Sequence, residues 1–198
     1  MDFRYIRGQE HVKRGLEVAV AGKHNVMLIG TSIPQMKKLA KAPKSIGGGI
    51  DIGIMLTCPC GNFTDPKKEC KCSPIKIQRY LASKARAMEK VDIHLEAPSL
   101  AYCDRKAKET SAVVKGRIDR AKMFLNGRKT DYGKNEPKMD KEANELLKLT
   151  ILELGISARV YDKVVRVAKT IAALDNKSVI EAHHISEAIS YRSLDRNL

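Results

Sequence analysis

An apolar run that stops at a glycine and turns at once into a helix-like stretch allows few folds, and His24 to Ala40 contains one. Asn25-Val26-Met27-Leu28-Ile29 reads as a buried parallel strand, with Gly30 permitting a sharp turn out of the sheet. Gln35 to Ala40 has helical character. Strand, turn and helix in that order make the frame of a phosphate-binding loop. The chemistry of such a loop belongs between Gly30 and Leu39, and those positions carry little of it.

The rest of the chain divides around this frame. Val12, Leu16, Ala19 and Val20 share one face of a helix, with Gly22 placed just past its end as a C-cap. Pro43 and Gly47-Gly48-Gly49 predict a flexible joint. Ile50 to Leu56 reads as a second strand interrupted by Gly53. Thr57 to Pro74 is a loop rich in Cys and Pro. Pro74 suits the first turn of a helix running toward Met88, with Ile77, Tyr80 and Leu81 on its apolar side. Val91 to Leu95 alternates as a strand does, and Pro98 breaks it. Only positions 30 to 57 lie between the first strand and Cys58, and a strand–helix–strand unit takes about 30 residues or more. That is room for one crossover.

Residues 104 to 134 hold ten Lys or Arg against four Asp or Glu. Their first part predicts a helix with Val113, Ile118, Ala121 and Leu125 as its apolar side, ended by Asn126-Gly127. Asp131 to Pro137 reads as a polar linker. Beyond it, Asp140 starts a helix with Ala143, Leu146, Leu147, Thr150, Ile151 and Leu154 on one side, and Gly155 stops it. Ser157 can cap the next helix, with Ile156 and Tyr161 at the two positions of a hydrophobic staple. Val160, Val164, Val167, Ala168, Ile171 and Leu174 form its stripe. A last helix covers Ala182 to Arg192.

Charge narrows the partners. Lys and Arg number 37 against 23 Asp and Glu, a formal net charge of +14. A surplus of this kind suits nucleic acid or nucleotide phosphates; the alternative is a basic protein that charge merely keeps soluble. Aromatic residues are 5% with no Trp, so the core rests on Leu, Ile, Val and Ala. No charged-then-apolar leader opens the sequence and no long apolar run interrupts it, so neither a signal peptide nor a membrane span is expected. Four of the five cysteines cluster, which fits a metal site in a reducing compartment, so a cytoplasmic location is expected.

Several segments carry a family resemblance. DFRYIRGQEHVKRGLEVAVAGKHNVMLIG resembles the start of the ATPase module in magnesium chelatase-like AAA+ proteins. CPCGNFTDPKKECKCSPIKIQRYL, VDIHLEAPSL and ISARVYDKVVRVAKTIAALDNKSVIEAHHISEAISYRSLDR are similar to the Cys-containing insertion, the following strand and the helical lid of the competence-related ComM-like branch. The resemblance implies an α/β fold: a reduced P-loop-type AAA+ core with a Cys-containing loop and a C-terminal helical lid bundle. It divides the chain into a core at 1–103 with its Cys loop at 57–74, a basic helix and linker at 104–139, and a lid at 140–198. It implies ATP and Mg²⁺ as cofactors, ring assembly with copies or relatives, and, in the competence branch, action on DNA.

The same comparison shows departures. Family members carry GPPGSGKTMLA after the first strand. With Leu39-Ala40 in register, Met36 stands in place of the phosphate-binding Lys, Lys37 in place of the Mg²⁺-binding hydroxyl, and Ile33 and Gln35 replace loop glycines. No apolar strand ends in paired acids, so no Walker B motif is evident. The expected product is a shortened member that hydrolyses ATP poorly or not at all.

The candidate sites follow. Cys58, Cys60, Cys70 and Cys72 form two C-x-C pairs that suit a tetrahedral Zn²⁺ site; a reduced, metal-free loop is the alternative. Cys103 stands apart as a lone thiol. By resemblance Gly30 belongs to the nucleotide loop, Arg159 matches the lid arginine that senses the γ-phosphate, and Lys90 falls on the family's finger arginine. Solvated side chains are the alternative for Arg159 and Lys90. Lys115, Arg117, Arg120 and Lys122 could hold nucleic-acid phosphates, or form a solvated helix face. His183 and His184 receive no role.

Overall fold

The computed structural model describes residues 2–6, 8–97, 109–127, 138–154 and 157–192. Pro98, Cys103, the linker at 131–137, Gly155 and Ile156 lie outside them, as do the two ends of the basic segment and the Leu154 side chain. The order is α1 (Glu10–Gly22), β1 (Val26–Gly30), α2 (Ile33–Leu39), β2 (Ile52–Leu56), α3 (Pro74–Lys90), β3 (Ile93–Ala97), α4 (Ser111–Gly127), α5 (Lys141–Leu154), α6 (Ala158–Leu174) and α7 (Ala182–Ser190).

The three strands form one parallel sheet in the order β2-β1-β3. Val26 pairs with Ile52 on one side and Ile93 on the other, and Gly30 with Leu56 and Ala97. Every β1 residue is buried, as a central parallel strand requires. Val26 and Leu28 join the main core, whereas Met27 and Ile29 face a small cluster with Met55 and Met88. The chain returns from β1 to parallel β2 in a single crossover, within the room that the spacing allowed. On the other edge, the His94 N–H donates to the Tyr191 carbonyl just after α7.

The helices collect on the main core. Its buried side chains include Val12 and Leu16 of α1, Val114 and Ile118 of α4, Ala143 and Leu147 of α5, all six α6 stripe residues and Ile185 of α7. The parallel α/β core with its helices matches the coarse expectation. Among the described residues no helix is long and apolar enough to cross a membrane.

Several local expectations are corrected. The α4 stripe begins at Val114 rather than Val113, which is 53% exposed; 114, 118 and 121 keep helical spacing and 113 does not. At the start of the stretch expected as a flexible joint, Ala42–Ile46 forms a 3-10 turn with Ala42, Pro43 and Ile46 buried, and Gly47 to Gly49 follow it outside any helix or strand. Gly22 is the last residue of α1, and Lys23 takes the left-handed cap at φ 56°. The glycine serves close approach instead: a Cβ there would fall 2.2 Å from His24 Nε2 and 2.4 Å from Thr170 Oγ1. β3 starts two residues later than the alternation suggested, because the Asn25 carbonyl accepts from both Asp92 and Ile93. Ser157 holds the N-cap position of α6 without a side-chain capping bond. α2 opens at Ile33, two residues before the expected start, and the last helix ends at Ser190, two before Arg192.

Candidate functional site

The carboxyl end of a parallel sheet is where such folds place ligands. Here a cleft of about 340 Å³ lies against Ile29 and Gly30 of β1 and Glu96 and Ala97 of β3. Gln9 to Val12 at the start of α1 form a second wall, and Thr57 and Thr64 a third. Among the described residues the lining includes two carboxylates, Glu10 and Glu96, and no Lys or Arg.

At the two ends of the turn below the cleft Gly30 and Met36 are buried, while Thr31 to Gln35 between them are exposed or half-buried. Met36 is fully buried. A Cβ on Gly30 would fall 2.5 Å from the Ala97 carbonyl oxygen and 3.3 Å from Met36 Sδ. The α2 helix has only seven residues, its Ser32 cap makes no side-chain bond, and Pro34 removes an amide from its first turn. A phosphate cradle needs a ring of free amides at a helix start. Here Pro34 contributes no amide, and Met36 is a core side chain.

Gly30, Lys90 and Arg159 do not come together. Lys90 ends α3, just ahead of β3, at the amino end of the sheet. Arg159 opens α6 beside it, its guanidinium 3.8 Å from Glu89 and its side chain 84% exposed. Gly30 lies at the other end of β1, about 13 Å away along a five-residue strand.

The four cysteines do come together. Cys58 Sγ lies 3.4 Å from Cys60 Sγ and 3.7 Å from Cys70 Sγ, with 3.6 Å between Cys60 and Cys70. Cys72 completes a group whose sulfurs all lie within 4.8 Å of one another, so the cluster could hold a metal ion. The Asn62 amide and the Cys58 sulfur draw the Cys60 thiol down to about 6. Cys70 goes the other way: the Cys72 amide pulls it down, but burial with Cys60 and Cys58 pushes it up to about 12. Like charges this close cannot all ionise unless a cation joins them.

Of the basic residues on α4, Arg117 is committed to carboxylates. Its guanidinium forks onto Glu109 at 2.6 and 2.7 Å, and its Nε donates to Glu17 at 2.7 Å. Those partners hold it charged well above the ordinary arginine range, with the Glu109 hydrogen bond the larger cause. Lys122 Nζ donates to the Gly47 carbonyl at 3.3 Å. Lys115 and Arg120 are exposed.

Two polar clusters escaped the sequence reading. His24 and Thr170 share a 2.8 Å hydrogen bond, and Thr170 in turn donates to the Arg166 carbonyl. Asp92 lies 3.6 Å from His24 Nδ1 and accepts from Arg166 and the Asn25 amide. This ties β1, β3 and α6 together across 146 residues of chain. A polar pair flanking two apolar strands, His24 and Asp92, was the available signal. The second cluster is Asp175 with His183 and His184, whose ligand atoms lie within 4.8 Å. His184 Nδ1 accepts from the Glu181 amide at 2.8 Å as half of a capping box. A neutral imidazole that accepts at Nδ1 carries its hydrogen on Nε2, the nitrogen facing Asp175, so the arrangement suits a helix cap rather than a metal.

Comparison with known proteins adds the lineage. The family model "Magnesium chelatase, subunit ChlI" matches residues 2–46 and 51–104, and "Magnesium chelatase, subunit ChlI C-terminal" matches residues 108–192. The uncharacterized protein YifB of Escherichia coli is 30% identical over 160 residues, covering 74% of this chain and 31% of YifB. Competence protein ComM of Haemophilus influenzae is 28% identical over 160 residues with the same coverage. The chain thus spans about 31% of the length of these relatives.

Proposed function

The chain belongs to the magnesium chelatase ChlI family, and we propose that it is a member that works by binding and does not hydrolyse ATP. One observation carries this reading: Met36, at the position of the family's phosphate-binding lysine, is a fully buried core side chain packed at Gly30. An active loop would present a cation to the β- and γ-phosphates from that position. The cleft above supports the same reading, since Glu10 and Glu96 oppose a triphosphate and, among the described residues, no lining Lys or Arg offsets them. Lys90 and Arg159, the family-derived charges, stand at the far end of the sheet from Gly30. No phosphoryl-transfer step follows from these residues. Phosphate release by the purified chain with ATP and Mg²⁺ tests this: release at the buffer rate is expected, and turnover above it refutes the reading.

What the chain binds is a second question. Its net charge of +14 and the exposed Lys115 and Arg120 on α4 favour nucleic acid, the substrate class that the competence branch implies. The same family origin supports association with rings of intact relatives or with further copies of this chain, in the cytoplasm. Pull-down with a full-length relative, in the presence of nuclease, separates protein association from bridging through nucleic acid.

A further inference from the structure

We propose that Cys58, Cys60, Cys70 and Cys72 bind one Zn²⁺ as four thiolates in a closed structural site. This stands independently of the nucleotide question. The sulfur spacing comes first. Zinc–thiolate bonds of about 2.3 Å in a tetrahedron set sulfurs about 3.8 Å apart. The pairs at 3.4, 3.6 and 3.7 Å approach that spacing. A disulfide needs about 2.05 Å, so no pair among the three is bonded.

The backbone is shaped around the sulfurs. Gly61 takes φ 79°, a left-handed conformation that side chains rarely adopt, and its N–H donates to the Cys58 carbonyl at 3.0 Å. That turn folds Cys58 and Cys60 into one clasp. The Phe63 amide then donates to Cys58 Sγ at 3.3 Å. Amide bonds to sulfur are the outer contacts that orient a thiolate and spread its charge.

The loop needs such a centre. Residues 57–73 contain no helix or strand, and only Cys58 and Gly61 among them are buried. A loop longer than about 12–15 residues without structure of its own is uncommon in a compact domain. The side chains here bury too little apolar surface to order it. A metal that crosslinks positions 58, 60, 70 and 72 would. Thiolates are soft donors, which selects zinc over magnesium or calcium, and four of them leave no open position for substrate. Binding displaces the thiol protons and leaves the centre with a charge of −2. Lys67, Lys68 and Lys71 in the loop outnumber Asp65 and Glu69 and offset part of it. Because Thr57 donates its N–H to the Gly30 carbonyl at 3.3 Å and lines the cleft with Thr64, the ion also fixes one cleft wall.

The test uses the full chain purified under reducing conditions without chelator. Elemental analysis is expected to give one zinc per chain. Replacement by Co²⁺ is expected to give the thiolate charge-transfer and visible bands of a tetrahedral centre. Cys58→Ser and Cys70→Ser lose the metal, while Cys103→Ser retains it. Because the first two variants can misfold, the unaltered chain is also titrated with a mercurial, and four thiols are expected to be released together with zinc. A chain of native helicity that takes up no zinc from an equimolar supply, with all five thiols reacting freely, overturns the proposal. Iron in place of zinc overturns it too.

Discussion

The Met36 sulfur stands 3.3 Å from the point where a side chain on Gly30 would begin, and the Ala97 carbonyl oxygen closes the same space from β3 at 2.5 Å. Gly30 and Met36, at the two ends of the turn after β1, are therefore packed together in the buried interior.

Restoring the family lysine alone should fail. Met36→Lys places an ammonium where no solvent reaches, and an unpaired buried charge costs several kcal/mol. Denaturant unfolding is expected to show a large loss of stability with no gain in ATP affinity. Met36→Leu, which conserves volume, is expected to cost less than about 1.5 kcal/mol.

Gly22 makes a sharper packing test. Alanine has the higher helix propensity, so an isolated helix would gain from the change. Here its Cβ would meet His24 Nε2 at 2.2 Å and Thr170 Oγ1 at 2.4 Å. Gly22→Ala is expected to destabilise by about 1–3 kcal/mol in thermal unfolding, with the sign opposite to propensity.

The frame of this fold was legible because it rests on local signals. An unbroken apolar run gave β1, and the six-residue stripe from Val160 to Leu174 gave α6, all of it buried. The Cys spacing named the four sulfurs that meet. What sequence could not give depends on distant partners. Gly22 looked like a cap until Thr170 stood beside it, and Arg117 looked like a phosphate ligand until Glu17, a hundred residues earlier, claimed it. His183 and His184 lacked a visible partner because Asp175 reaches them only once α6 and α7 pack together.

Asp92 predicts a pH dependence. Burial alone would raise its pKa, but the His24 hydrogen bond, the Arg166 guanidinium and the Asn25 amide outweigh it and hold the carboxyl below the usual range. A depressed carboxyl contributes stability that is fully present above its unfolded pKa of about 3.9 and is lost as pH falls through the folded value. Asp92→Asn is expected to cost about 1–3 kcal/mol at neutral pH, and the gap from the unaltered chain should close below about pH 4. Unfolding curves across that range check it.

The α4 cations should separate into two kinds. Lys115→Glu with Arg120→Glu is expected to weaken DNA binding and to flatten its salt dependence, with little change in melting temperature. Arg117→Gln breaks its pairs with Glu17 and Glu109 and should lower the melting temperature instead. Binding titrations at several salt concentrations, beside thermal melts, distinguish the two effects.

Calorimetric titration of the purified chain with ATP, with and without Mg²⁺, bears most directly on the claim that the phosphate cradle is lost. No saturable heat up to millimolar ATP is the expected result. Micromolar binding that requires Mg²⁺ would contradict it, because such affinity needs a working phosphate cradle.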